Sequence, residues 1–162
     1  MDTNPINPRN IRRFSQVALL GCSLLLATSS TWAGQHEDEP ALAITKGDAA
    51  LAWGPCPEFI GEGCHIAVLH GDPAKPNADV FFRLSGGKML PAHKHTSTER
   101  MVLVAGSLDV TYEGQDTVRL EAGTYAYGPA GRPHSGQCVS EEDCVLFIAF
   151  ELPIDATKVA VE

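Results

Sequence analysis

The chain has 162 residues, 44% of them hydrophobic, and carries 20 Asp and Glu against 12 Lys and Arg, a formal net charge of −8. That length holds one domain with at most a short appendage. The acidic balance argues against nucleic acid and anionic membrane surfaces, both polyanions, and favours a small-molecule or cationic partner.

From the N-terminus, residues 1–33 read as an export signal. Arg9, Arg12 and Arg13 precede an apolar run, Phe14–Ala27, and "TSSTWA" places the small residues Thr31 and Ala33 before a cut ahead of Gly34. The run is short for a membrane span, so the reading implies a periplasmic or secreted protein with no membrane contact after cleavage. A lipoprotein-type cut at Cys22, in "LLGC", is the alternative, but Ser23–Ala27 continues the apolar run where a tether would be polar. Removing these residues takes away three Arg and one Asp, which leaves 9 Lys and Arg against 19 Asp and Glu and a net charge of −10. Residues 34–40 ("GQHEDEP") are polar and expected to be flexible, and residues 41–162 form a single domain.

Within the domain, short apolar runs alternate with turn signals and no long 3.6-residue stripe occurs. The expected strands are Leu42–Thr45, His65–His70, Val80–Leu84, Leu90–His95, Met101–Ala105, Leu108–Tyr112, Thr117–Leu120, Thr124–Tyr127, Pro133–Val139 and Val145–Glu151. Ten short strands without a helix pattern indicate an all-β sandwich or barrel. "LDVTYEGQDTVRL" is the clearest hairpin, with Leu108, Val110 and Tyr112 alternating with polar residues before the turn at Glu113–Asp116.

Four cysteines remain after export: Cys56, Cys64, Cys138 and Cys144. An even number in an exported chain reads as disulfides, with three connectivities open. Local pairing is favoured, because Cys56 and Cys64 bracket "PEFIGEG" and Cys138 and Cys144 bracket "VSEED", a turn that would let the second pair face each other across a hairpin. Neither pair has the C-x-x-C spacing of a metal knuckle.

The chemistry concentrates in "GGKMLPAHKHTSTERMVLVAG", Gly86–Gly106. On a strand, His93 and His95 project to one face about 6.6–7 Å apart while Lys94 points away. On a helix they would diverge by roughly 200°. A shared metal therefore requires an extended His93-Lys94-His95. Were the strand to run straight on, Glu99 would lie roughly 13 Å beyond His95, too far for ligands bonded at about 2.0–2.2 Å to one ion. Thr96-Ser97-Thr98 must then fold back, leaving Glu99 at the start of the next strand. A fourth candidate, His134, follows Pro129 and Gly131 in "GTYAYGPAGRPHSG".

The spacings Gly87-x5-His93-x-His95-x3-Glu99-x6-Gly106 and Gly123-x5-Pro129-x-Gly131-x2-His134 resemble the two signature motifs of the cupin superfamily. The second motif ordinarily ends on Asn, where this chain has Cys138. The resemblance spans Val80–Phe150. It implies a double-stranded β-helix, the jelly-roll barrel, holding one divalent transition metal (Fe, Mn, Ni, Cu or Zn) on His93, His95, Glu99 and His134, with Glu99 also able to accept a proton as the catalytic group.

The family contains dioxygenases, decarboxylases, isomerases, lyases and binding proteins, and the fold does not choose among them. The single-barrel quercetinase-like proteins are the leading comparison, which makes dioxygenase-like or related lyase or isomerase chemistry on a small organic substrate the first expectation. A non-catalytic metal- or ligand-binding cupin is the alternative. A sensor cupin like that of certain anti-sigma factors ranks lower, since Gly34–Leu51 is too short for the zinc-binding domain such proteins add. Phe81 or Phe82, Met101, Leu103 and Phe147 are the expected pocket lining. Tyr125 and Tyr127 are expected to divide between interior and exterior, Arg83 and Arg100 to be solvated charges near the mouth, and His36, His65 and His70 to lie on the surface. A homodimer formed through Val145–Glu151 as an edge strand completes the expectations.

Overall fold

The structure is a computed structural model and describes residues 39–160. The segment read as an export signal, His36 and most of the 34–40 segment lie outside the described residues. The elements are β1 (Gly54–Pro55), β2 (Cys64–His70), β3 (Ala78–Leu84), β4 (Met89–Lys94), β5 (Glu99–Ala105), β6 (Ser107–Tyr112), β7 (Val118–Glu121), β8 (Tyr125–Gly128), β9 (His134–Cys138), β10 (Cys144–Phe150) and β11 (Thr157–Lys158). They form two antiparallel sheets, one in the order β1-β2-β3-β10-β5-β8 and the other β11-β4-β9-β6-β7. This is the expected all-β jelly roll. Among the described residues no helix is long and apolar enough to cross a membrane.

Alternation decides which side chains enter the barrel. Met101 and Leu103 of β5 and Leu146, Ile148 and Phe150 of β10 are buried in the main core together with Val80, Phe82 and Leu84 of β3. The opposite faces of β3 and β10 are covered too. Phe81 and Val145 form a second cluster with Ala105, packed by Ile44, Leu51, Trp53, Leu69 and Phe147. Burial on both faces explains the nearly unbroken apolar runs "ADVFFRL" and "CVLFIAF".

Several expectations are corrected. Leu42–Thr45 is no strand: it runs irregularly into turns over 45–51, where Asp48 donates its N–H to the Thr45 carbonyl, Leu51 donates to the Asp48 carbonyl, and the Asp48 carboxylate takes the Ala50 N–H. Val145–Glu151 is no edge: β10 lies between β3 and β5. Tyr125 and Tyr127 do not divide between faces; two residues apart on β8, both point outward, 60% and 52% exposed. Arg83 lies over the Trp53 ring at 4.2 Å and Arg100 pairs with Glu151. His65 and His70 are half-buried.

The expected β6–β7 hairpin forms, with Leu108 opposite Leu120 and Val110 opposite Val118, and with Asp109 and Arg119 ion-paired across it at 2.7 Å. Both local disulfides are present, with Cα atoms 5.5 Å apart for Cys56–Cys64 and 5.7 Å for Cys138–Cys144. The second does not close a hairpin. Cys138 ends β9 and Cys144 starts β10, so the bridge ties one sheet to the other where the chain crosses between them.

Candidate metal centre

His93 lies on β4 and is 3% exposed, while Lys94 faces solvent. The ladder between β4 and β9 shifts register between Leu90 and His93 and resumes with His93 opposite His134, the first residue of β9. The two imidazole centroids are 4.2 Å apart, and those of His93 and His95 are 4.9 Å apart. After His95 the chain leaves this sheet and crosses to the other, where Glu99 opens β5. The expected fold-back over 96–98 is this crossing.

Ser97 fastens the corner. Its hydroxyl accepts the N–H groups of Glu151 and Leu152 at 2.9 and 3.0 Å and donates to the Thr98 carbonyl at 2.7 Å, and the residue is 1% exposed. Asp155 holds the preceding residues. Its carboxylate accepts the Thr96 N–H at 2.8 Å, and its carbonyl accepts a short bond from His95 Nδ1.

Each of the three histidines is oriented through Nδ1. His93 Nδ1 donates to the Pro91 carbonyl at 2.8 Å, His134 Nδ1 to the Arg132 carbonyl at 3.2 Å, and His95 Nδ1 to Asp155. A carbonyl oxygen only accepts, so these bonds place the proton on Nδ1 and leave Nε2 as a bare lone pair. The histidine donor atoms lie within 4.8 Å of one another. Glu99 Oε1 is 3.4 Å from His95 Nε2, and Oε2 is 3.6 Å from His134 Nε2.

Lone pairs and carboxylate oxygens facing each other inside a core repel unless a cation stands among them. Neighbouring donors at about 2.1 Å from one ion are about 3.0–3.4 Å apart, close to the separations between Glu99 and its two histidines. The three histidines could thus hold a divalent ion, with the Glu99 carboxylate beside them. Burial drives the site the same way: it lowers the His93 pKa to about 4 and the His134 pKa to about 3, keeping both rings neutral, with the neighbouring histidines pushing further down. Burial also raises the Glu99 pKa, opposed by His95.

A cavity of about 120 Å³ opens beside these donors, walled by Ile60, Val80, Phe82, Met101, Ile148 and Phe150 among others. Phe82 and Met101 line it as expected. Phe81 and Phe147 belong to the outer cluster, and Leu103 is buried away from the cavity. Among the described residues no Lys or Arg reaches the lining.

Two contributors were not legible in advance. Asp155 lies some 60 residues from His95 in sequence, in a segment with no motif. Tyr112 looked like an ordinary strand residue, yet its buried hydroxyl has no hydrogen-bond partner, a deficit of about 1–3 kcal/mol for such a group. Burial raises its pKa, helped by the Glu99 charge.

Fold and site together define a cupin barrel with a three-histidine cluster. The chain belongs to the ChrR cupin-like domain family, whose model matches residues 43–152. No curated protein matches it. Among solved structures it is similar to the DMSP lyase DddQ from Ruegeria pomeroyi, with 18% identity, a TM-score of 0.59, and 68% of this chain matched to 62% of that one. It is also similar to oxalate decarboxylase from Bacillus subtilis, with 22% identity, a TM-score of 0.52, and 60% of this chain matched to 28% of that one. The cupin domain of Schizosaccharomyces pombe Cnp3 matches at 14% identity and a TM-score of 0.53, covering 64% of this chain and 69% of that one. The chain therefore spans less than two thirds of the lyase and about a quarter of the decarboxylase, and these likenesses bear on the fold.

Proposed function

We propose that this protein is an exported mononuclear metal enzyme, with His93, His95, His134 and Glu99 as ligands to one divalent transition metal and a small organic molecule as substrate. The observation that carries this reading is the Nδ1 anchoring, which turns three unprotonated Nε2 atoms and a buried carboxylate into one space at the end of an apolar cavity. The Mn(II) centres described for Bacillus subtilis oxalate decarboxylase make Mn a first metal to test beside Fe, Ni, Cu and Zn. The two disulfides support an oxidising compartment, periplasmic or secreted.

A bound divalent ion supplies Lewis-acid polarisation of a ligand oxygen and, with Fe or Cu, redox chemistry. The chain's own part is to exclude water with the apolar wall, to hold the His93 and His134 imidazoles neutral by burial, and to keep in Glu99 a buried carboxylate able to take and return a proton. Dioxygenase-like, lyase and isomerase reactions all draw on these parts.

The test is turnover. Protein loaded anaerobically with Fe(II) or Mn(II) is mixed with flavonol, β-diketone and catechol substrates, and oxygen uptake and substrate loss are followed. Uptake above that of the His134→Ala protein supports an enzyme. One ion per chain with no turnover of any substrate would leave the non-catalytic binding cupin.

A further inference from the structure

The cavity beside the donor cluster is lined by strand residues except at His95 and at two connecting segments. One is the β1–β2 connection, with Pro57 and Ile60, and the other follows β10, with Ile154, Asp155 and Ala156. Hydrogen-bonded ladders do not part to admit a ligand, so entry falls to a connection.

The two connections are held in different ways. Cys56 and Cys64 bridge the feet of the first, the Cys56 N–H donates to the Cys64 carbonyl at 3.3 Å, and Ile60 is buried in the main core with Phe59 packed against it. The second, residues 153–160, has no covalent tie. Ile154 is the side chain it packs on the main core, while Pro153, Thr157, Lys158 and Ala160 are exposed. Its remaining hold is backbone bonding. The Ile154 N–H donates to the Pro73 carbonyl and the Val159 N–H to the Ala92 carbonyl, both at 2.9 Å, and β11 adds a two-residue ladder, Thr157 opposite Lys94 and Lys158 opposite His93. Few buried apolar contacts and solvent-exposed backbone bonds mark a segment that opens locally, well below the cost of global unfolding. Ser97 pins the N–H groups of Glu151 and Leu152, so the segment pivots beyond Leu152.

The same segment touches the ligands. β11 lies against the residues that carry His93, and the Asp155 carbonyl accepts from His95 Nδ1. When the segment lifts away, His95 loses the acceptor that fixes its tautomer and orientation, and the cavity loses three wall residues together. An imidazole donates its second N–H more strongly when its first nitrogen serves a cation. The coupling is reciprocal: whatever the closed segment adds to metal affinity, metal adds to its closure.

We infer that residues 153–160 are the door of the site, opening from Leu152 to admit metal and ligand and closing on the loaded centre through the His95–Asp155 bond. The disulfide-clamped β1–β2 connection is the fixed wall. The inference rests on the metal-centre reading, and its test keeps the two apart.

Amide hydrogen exchange is measured on the folded protein, metal-free and loaded with Zn(II), at Ile154 and Val159 in the door, Ile60 in the fixed wall and Leu103 in the core. In the metal-free protein the two door amides are expected to exchange about 100-fold faster than Leu103. Zinc is expected to slow them about tenfold or more, the size of an outer-shell contribution, and to leave Ile60 nearly unchanged. Door amides as slow as Leu103 overturn the door. Fast door amides that bound zinc does not slow overturn the coupling through His95. Absence of zinc uptake overturns the metal centre and the coupling, while the metal-free exchange still decides the door.

The second arm is kinetic. Lys94→Cys with Thr157→Cys places an exposed cysteine pair at facing positions of β4 and β11, and Lys94→Ser with Thr157→Ser is the unlinked control. The cross-linked protein is expected to release zinc to a chelator about tenfold more slowly than the control. Equal release overturns the door. Should the bridge fail to form, Ile154→Ala decides: its door amides in the metal-free protein and its zinc release are expected to speed up by the same factor. Faster door exchange with unchanged release would mean that metal leaves by another route.

Discussion

His93 and His134 face each other across β4 and β9 with their rings 4.2 Å apart, and each is fixed by a backbone carbonyl two residues earlier in its own strand approach. The pair is therefore built by local backbone geometry on each side and by strand register between them. Replacing either ring removes a donor without disturbing the other's anchor. His93→Ala and His134→Ala should each lower metal affinity by more than ~100-fold, beyond the usual effect of losing a supporting partner, while His70→Ala should leave it unchanged. Metal content after reconstitution and dialysis reads this directly, and equal retention in all three variants would remove the site.

Asp155 acts on His95 from outside the motif. Its carboxylate pins the Thr96 N–H while its carbonyl orients the ring, so the side chain positions the backbone that presents the ligand. Asp155→Ala should weaken metal binding by about 10-fold, in the range of outer-shell losses. Asp155→Asn keeps an acceptor oxygen and should recover most of it. Competition against a coloured chelator measures both, and an Asn variant as weak as Ala would show that charge rather than the Thr96 bond is what counts.

How much of this was open to sequence reading follows from how local each cause is. The Leu108–Leu120 hairpin is written in alternation and a Glu-Gly-Gln-Asp turn, while its register is set in the fold. His93, His95 and Glu99 read as a group because a shared ion needs an extended His93-Lys94-His95 and a turn after His95, whereas His134 joins them only through the resemblance to the second cupin motif. The two-residue period alone puts Tyr125 and Tyr127 on one face, and the unbroken apolar run "CVLFIAF" is that of a strand buried on both faces rather than of an edge. By contrast, Asp155, Ser97 and Tyr112 draw their roles from partners that only the folded barrel brings near, and no pattern along the chain carries that information.

Ser97 makes a prediction about stability. Its hydroxyl satisfies two N–H groups at the end of β10 from the corner between the sheets. Ser97→Ala removes the acceptor of two N–H groups on the exposed residues Glu151 and Leu152 and should destabilise the fold by about 1 kcal/mol, a fall of about 4 °C in Tm. Denaturant unfolding of the metal-free protein isolates this effect from ligand loss. A change below measurement error would mean that water takes over both bonds.

The Cys138–Cys144 bridge joins the strand that begins at His134 to the opposite sheet, and both sulfurs are buried, with Cys144 Sγ 3.1 Å from the Ser107 carbonyl. The short loop it closes limits its effect on the unfolded chain to about 2–3 kcal/mol. A Cys138→Ala and Cys144→Ala double variant should lose about that much in denaturant unfolding while still taking up metal, because the ligands are anchored by carbonyls rather than by the bridge. Non-reducing mass spectrometry of the protein should find Cys56, Cys64, Cys138 and Cys144 all blocked to thiol reagents; four free thiols would discard both bridges.

Gly128 closes the argument about the site, because it faces Glu99 across the β5–β8 ladder and its conformation is that of an ordinary strand residue. Backbone strain therefore does not explain glycine here; space does. The Cβ of Gly128→Ala would press on Tyr112 Oη and Glu99 Oε2, so one or both oxygens must move, at about 1–3 kcal/mol of overpacking. Gly47→Ala, whose Cβ meets nothing within 4 Å, serves as the control. The expected result is a Gly128→Ala protein that folds with a lowered Tm and holds metal at least tenfold more weakly, while Gly47→Ala matches wild type in both. If Gly128→Ala lost stability but bound metal normally, Glu99 would be a buried carboxylate beside the centre and the ion would rest on the three histidines.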